Sequence, residues 1–422
     1  MHGEFREFMA DLGLPAHEYD RGVAVGVSGG ADSMALALLM HAWCVERDLP
    51  MLSLVCDHGL RPQSLSEARL TLERLDARGI DARLIRLHMT PGSAVQERAR
   101  NARYSAMSSC MRREGIGLLA VAHHAMDQAE TVAHRLEEGT CTLLGRAGIL
   151  PVRVMGDALL LRPLLQSGKG SLKDFLREER VGWVEDPSNA NPAFTRTRTR
   201  AALSSEPAQV EALLEVAHEG LELHRCIEAE KADILSRALI SSHAWGASCI
   251  DMSALPSTLA GAEVLRELLH RASGTRPAIP ASRLLDAMHT CFTLGGAEVR
   301  SGKGGTWIFR ELSRMQESRS SACAFAGWDE RIRLGADGVH GGEIEALGTD
   351  VATSLRRSDK SGPGFLAHLP HKVLAGVPCI RDKNGRGLSV PHLGMGMEVA
   401  TLPTLRTLPT LASKPSFAPA IS

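Results

Sequence analysis

Between residues 22 and 165, short runs that are apolar at nearly every position alternate with longer stretches whose apolar residues recur at helical spacing. The short runs are VAVGV (23–27), LSLVC (52–56), ARLIRL (82–87), GLLAVAH (117–123) and ALLLRPLL (158–165). The helical stretches are 33–46, 64–78, 93–113 and 126–138. Runs with no apolar/polar alternation suit strands buried on both faces. Strand–helix alternation of this kind predicts an α/β fold, a doubly wound five-stranded parallel sheet with helices on both sides. Ligands in such sheets bind beyond the carboxyl ends of the strands.

Beyond Pro163 the pattern changes. Ser171 and Asp174 in SLKDFLREE have the spacing of a capping box at a helix start. Residues 184–200 are polar and aperiodic, and a long helical pattern then covers about 206–240. Helices followed by short strands near GAEVRS and TWIFRE are expected over 255–315. Residues 330–400 read as a small α+β module, and TLPTLRTLPTL reads as a flexible tail. The expected division is a nucleotide-type domain at 1–205, a helical connector at 206–325 and a C-terminal α+β module at 326–422.

Composition narrows the class without identifying a function. The 422 residues are 44% apolar and 23% charged, with 48 basic against 49 acidic side chains. A polyanionic partner would therefore have to meet a local basic patch. Nine cysteines include no C-x-x-C pair, which fits reduced thiols. No run approaches the ~18 apolar residues of a membrane span, and MHGEFREFMADLG lacks the apolar core of a signal peptide. A cytoplasmic location is expected.

The candidate chemistry clusters after the strands. In VGVSGGADSMAL, Gly29 and Gly30 permit a tight turn, while Ser28 and Ser33 offer hydroxyls. The helix starting near Ala31 and Asp32 aims unpaired N–H groups into that turn, a setting that attracts anions. Asp32 fits a phosphate site only if a divalent cation lies between them. A simple Ser-Gly-Gly turn capped by Asp32 is equally compatible with these residues. CDHGLRPQSLSEA places Asp57, His58 and Arg61 beyond the second strand, and QERARNARYSAM places Arg100 and Arg103 near one another on a helix. AHHAMDQAETVAHRL sets His123, Asp127 and Glu130 on one helical face if the helix begins early. Such a face can bind a metal, act as acid and base, or hold an ammonium group. EDPSNANPAFTRTRTR repeats arginine at positions 196, 198 and 200, one side of an extended segment that could contact phosphates.

Taken in order, these segments resemble a known family. S-G-G-x-D-S is similar to the pyrophosphate loop of the N-type ATP pyrophosphatases. D-H-G-L-R-x-x-S-x-x-E, Arg103 and its neighbours, H-H-x-x-D-x-x-E-T and the final arginine signature resemble the tRNA(Ile)-lysidine synthetases. Met126 stands where the family has an acid or Asn, and Cys141 interrupts an expected small-residue loop after Gly139 and Thr140. Thr197 and Thr199 replace the usual Asn and Ile, and VPHLG (390–394) resembles the family's C-terminal module.

The resemblance implies a ligase that adenylates the wobble cytidine of the CAU-anticodon isoleucine tRNA with ATP, then joins free lysine to it. It implies ATP contacts at Ser28, Gly29, Gly30, Ala31, Asp32, Ser33, Asp57 and His58. Mg²⁺ would bind at Asp32, and catalytic roles fall to Asp32, Arg103, His123, Asp127 and Glu130. Arg196, Arg198 and Arg200 would contact tRNA, with 206–325 contributing to tRNA binding. The alternatives are a tRNA-thiolating relative, which the absence of C-x-x-C disfavours, and a non-catalytic tRNA- or nucleotide-binding protein.

Overall fold

The computed structural model describes residues 1–12, 14, 18–59, 63–87, 95–139, 142–155, 158–185, 195–288, 290–302, 304–315, 320–322, 327–329, 332–334, 342–358, 369–382, 388–390 and 405–407. It forms two compact units, Met1–Cys226 and Ile227–Ser416, divided within one long helix.

The first unit is built as strand and helix in turn. Helix α1 (His2–Asp11) precedes β1 (Val23–Val27), α2 (Ala31–Val45), β2 (Met51–Asp57), α3 (Ser64–Asp76), β3 (Ala82–Arg86), α4 (Val95–Glu114), β4 (Leu118–Ala120) and α5 (Ala125–Glu137). Then follow β5 (Val152–Met155), β6 (Ala158–Leu161), α6 (Lys169–Glu178), α7 (Thr195–Ser204) and α8 (Pro207–Ala238). The sheet runs β3-β2-β1-β4-β6-β5. The five expected strands are parallel, and β5 adds an antiparallel edge through its hairpin with β6. VRVM escapes the sequence pattern because an edge strand is only partly covered. Arg162 and then Pro163 follow β6, so ALLLRPLL yields a strand only as far as Leu161.

Both faces of the sheet are packed. Met34, Leu36, Leu39 and Met40 of α2, Leu75 of α3 and Leu172, Phe175 and Leu176 of α6 cover one face. Met107, Cys110 and Met111 of α4 cover the other. Helix α5 packs through Ala129, Val132 and Ala133 on Leu203 of α7 and Leu213 and Ala217 of α8.

The capping box expected at Ser171 does not form. The chain is extended at Gly168 (ψ 142°), so the helix starts at Lys169 and Ser171 already lies inside its first turn. Asp174 instead pairs with Arg177.

In the second unit, the strands Leu239–Ser242, Ser248–Ile250, Phe292–Leu294, Ala297–Gly302 and Gly305–Arg310 make an antiparallel sheet. GAEVRS and TWIFRE are strands, as expected, and they pair with each other as a hairpin. A smaller sheet includes Gly342–Ala346 and Pro378–Asp382. Leu405–Thr407, inside the stretch expected to be a flexible tail, pairs antiparallel with Ile332–Leu334. Among the described residues no helix is long and apolar enough to cross a membrane.

Candidate active site

The order of the sheet decides where a ligand can enter. From β1 the chain crosses to β2 on one side, while β4 flanks β1 on the other. The loops leaving β1 and β4 therefore diverge around a crevice at the strands' carboxyl ends. Ser28–Ser33 leaves β1 there, and His123–Asp127 leaves β4.

The first loop is tightly specified. Ser33 Oγ accepts from the Ser28 N–H at 3.1 Å, lies 3.1 Å from Ser28 Oγ and donates to Gly30 O at 3.0 Å. Gly29 has φ +84°, and a Cβ there would meet Thr71 Oγ1 of α3 at 2.4 Å. Gly30 is the N-cap of α2 but has no side chain to accept from the first turn. The amides at the start of α2 therefore keep their attraction for an anion. The Val184 N–H donates to Gly29 O at 2.8 Å, fastening the loop from the far side.

Asp32 lies in the first turn of α2, and its Oδ1 is buried with no hydrogen-bond partner among the described residues. Nε2 of His124 lies 3.6 Å from Asp32 Oδ2 and 3.8 Å from Asp127 Oδ2. His124 is 2% exposed, and its Nδ1 accepts from the Met126 N–H at 3.2 Å. That bond leaves the ring's other nitrogen to face the two acids.

Helix α5 begins at Ala125, later than a shared face for His123, Asp127 and Glu130 requires. His124 is its N-cap, and Asp127 closes the capping box by accepting from the His124 N–H at 3.0 Å. His123 thus sits before the helix, while Asp127 and Glu130 lie on it. Burial pushes the Asp127 carboxyl up. The neighbouring imidazoles of His124 and His123, the bond from the His124 N–H and the Arg200 guanidinium outweigh it, leaving the carboxyl below its usual range.

Arg200 closes the other side. Its Nη2 donates to Asp127 Oδ1 at 2.9 Å and its Nε to Glu130, which is only 2% exposed. The extended arginine strip expected here is a helix, Thr195–Ser204. Alternate positions on a helix do not share one side, and Arg200 turns to the carboxylates. The side chains of Arg196 and Arg198 lie outside the described residues, as do Thr140 and Cys141.

The remaining candidates lie at the end of β2. Asp57 Oδ1 accepts from Gly59 N–H at 2.9 Å and Ser64 Oγ at 2.6 Å, so it shapes the turn into α3. His58 is half-buried, and burial and the charge of Arg103 lower its pKa against the pull of Asp57. Its Nδ1 has no hydrogen-bond partner among the described residues. Arg103 and Arg100 both lie near the Tyr104 ring, 5.7 and 5.5 Å from its centroid. Arg61 is outside the described residues.

Met126, in place of the family's acid, packs beside the apolar cluster shared by α5, α7 and α8. Three further side chains shape the site beyond those that the motifs single out. His124 stood second in a His-His pair and Arg162 stood before a proline, both visible in quoted motifs. Gln128 gave no signal, yet it is buried and binds Ala147 O, Ile149 O and the Ile149 N–H.

Comparison with known proteins bears on this geometry. Residues 2–206 match the model of the PP-loop domain family. The chain is 32% identical to the tRNA(Ile)-lysidine synthase of Mesorhizobium japonicum, over 86% of this chain and 83% of that one. The chain belongs to the tRNA(Ile)-lysidine synthase family. Its likeness to the enzyme of Novosphingobium aromaticivorans is 35% over 71% of this chain and 90% of that one. With the enzyme of Alkalilimnicola ehrlichii it is 30% over 94% and 92%. The relatives thus match both units, whereas the motifs that carry chemistry are confined to the first.

Proposed function

We propose that the chain ligates free lysine to the wobble cytidine of the isoleucine tRNA with a CAU anticodon, activating the cytidine with ATP. Membership of the family makes it an ATP-using, tRNA-modifying ligase. The observation that carries the residue-level reading is the position of His124 between Asp32 of the Ser28–Ser33 loop and Asp127, with Glu130 joined to Asp127 through Arg200. A phosphate seat and an ammonium seat then share one opening.

In this reading the ring carbonyl oxygen of cytidine attacks the α-phosphate of ATP and pyrophosphate leaves. The ε-amine of lysine attacks the activated ring carbon, AMP departs with the oxygen, and the amine gives up a proton. Ser28, Gly29, Gly30, Ala31 and Ser33 seat the departing diphosphate through amides and hydroxyls. His58 and Arg103, from the neighbouring strand end and α4, face the nucleotide, with Arg103 neutralising phosphate charge. Asp57 supports that side by shaping the turn after β2. His123 belongs to the nucleotide side, and Asp127 and Glu130 to lysine, whose ammonium they hold and whose proton they accept.

A magnesium ion suits the unpartnered Oδ1 of Asp32. One carboxylate suits an ion that completes its shell on phosphate and water. Bound there, it would neutralise triphosphate charge during attack.

Arg200 belongs to the carboxylate side of the site, and tRNA phosphate contacts fall to Arg196, Arg198 and the segment from 206 to 325. The α+β module beyond 326 adds to the tRNA surface. A cytoplasmic setting follows from a tRNA substrate.

The test is pyrophosphate release from ATP by the full chain with transcribed isoleucine tRNA, with and without lysine, and detection of lysidine at the wobble base. Release that depends on this tRNA, and lysidine only when lysine is present, is the expected result. A preparation that binds the tRNA but releases no pyrophosphate would be a binding protein and would end the proposal.

A further inference from the structure

Two side chains meet just past the carboxyl ends of neighbouring parallel strands. β4 and β6 pair with Ala120 opposite Leu161, and the Val121 N–H donates to Leu161 O at 3.0 Å, extending the ladder. Arg162 follows at once on β6, and His123 lies two residues beyond Val121. The Nε–H of Arg162 donates to Nδ1 of His123 at 3.2 Å. Its Nη1 donates to Leu150 O, and its backbone N–H donates to Pro151 O at 2.9 Å. The guanidinium is thus fixed by the turn into β5 and aimed at the imidazole.

Arg162 is 4% exposed, and among the described residues no carboxylate pairs with it. Burial pushes its pKa down to about 10; Tyr104 opposes this, while Arg153 and Arg100 add to it. A buried cation of this kind is costly, so its position calls for a role beyond packing. A guanidinium has donors only, so the nitrogen it meets must offer a lone pair. A neutral His123 then carries its proton on Nε2, and an imidazolium would set N–H against N–H.

We infer that Arg162 is a positioning residue that holds His123 as the neutral Nε2–H imidazole, so that His123 donates a hydrogen bond to an anionic oxygen and does not act as a base. The charged groups around the pair act in both directions. Asp127 of α5 favours a proton on His123, Arg162 opposes it, and Arg100 and Tyr104 of α4 and Arg153 of β5 surround Arg162. A neutral imidazole can stabilise developing negative charge without yielding its proton. The destination of that bond, a phosphate oxygen of the nucleotide, rests on the reading of His123 given above; the tautomer does not.

The test is nitrogen-15 NMR of histidine-labelled full chain without nucleotide, with His123 assigned by the signal lost in His123→Gln. At about pH 7 the expected spectrum has an unprotonated Nδ1 and a protonated Nε2. In Arg162→Met the ring should sample both tautomers, with pyrophosphate release falling ~10–100-fold. Arg162→Lys keeps the charge but not the fixed donor geometry, so its ring should stay neutral and lose the single tautomer. If Arg162→Met fails to fold by circular dichroism, the wild-type and Arg162→Lys spectra decide. A wild-type ring that is Nδ1–H or cationic at about pH 7, or variant spectra identical to wild type, would overturn the inference. Failure to form lysidine would overturn the proposed function and leave the tautomer result standing.

Discussion

The guanidinium of Arg200 on α7 bonds the buried carboxylate of Glu130 on α5 and, with a second nitrogen, reaches Asp127 at 2.9 Å. One side chain thus ties the segment that follows the sheet to the two acids of the crevice. Removing one partner of a buried pair leaves the other charge uncompensated. Arg200→Met should therefore lower stability by about 3 kcal/mol in urea titration, and adding Glu130→Gln should recover much of it. Equal midpoints for Arg200→Met and wild type would show that the pair contributes nothing.

On the proposed assignment, Glu130 acts on the lysine half of the reaction and not on the adenylation half. Glu130→Gln keeps the shape and loses the charge that an ammonium needs. The KM for lysine should rise ~10-fold or more, the scale of a charge-assisted hydrogen bond, while tRNA-dependent pyrophosphate release changes little. Unchanged KM and turnover for lysine would remove Glu130 from the lysine side.

Asp32 is tested by metal titration. Asp32→Asn should lower pyrophosphate release ~100-fold and shift its magnesium dependence to higher concentration. Chelation of divalent ions should silence the wild type and be reversed by added magnesium. Activity that persists in excess chelator would mean that the Asp32 carboxylate serves another purpose.

Gly29 carries a steric and a conformational requirement together. Gly29→Ala forces a side chain at φ +84° and sets its Cβ 2.4 Å from Thr71 Oγ1. A loss of roughly 1–3 kcal/mol is expected, with weaker ATP binding by calorimetry. Adding Thr71→Ala should relieve the clash and leave the backbone strain, restoring part of the loss. Full restoration would mean that the positive φ costs nothing.

Asp127 predicts the acid limb of stability. Its folded pKa lies below the ordinary value, so its contribution is complete above about 3.9 and is lost as pH falls through the folded value. Thermal unfolding from about pH 5 to pH 2 should show this decline below about pH 4, and Asp127→Asn should flatten it. The same slope in both proteins would assign the acid sensitivity elsewhere.

The parallel sheet was readable because strands buried on both faces leave uninterrupted apolar runs, as in VAVGV and LSLVC. The edge strand VRVM was not, because half its surface faces away from the core. Motif order located the β1 and β4 loops but not the contacts inside them. His123 and Glu130 have helical spacing on paper, yet His124 caps α5 and leaves His123 outside it. Arg200 read as an exposed phosphate contact because a charge pattern does not reveal its partner across two helices. Arg162 and His124 carry no role legible in sequence, since a buried cation or imidazole has no distinctive neighbours there.

The strap from Val184 to Gly29 is made by main-chain atoms alone. Replacement of valine by any residue that retains an amide proton keeps it; only proline abolishes it. A polypeptide tether of that type is indifferent to genetic drift at its own position. The turn beyond β1 is therefore held by a bond that most sequence changes at position 184 leave intact.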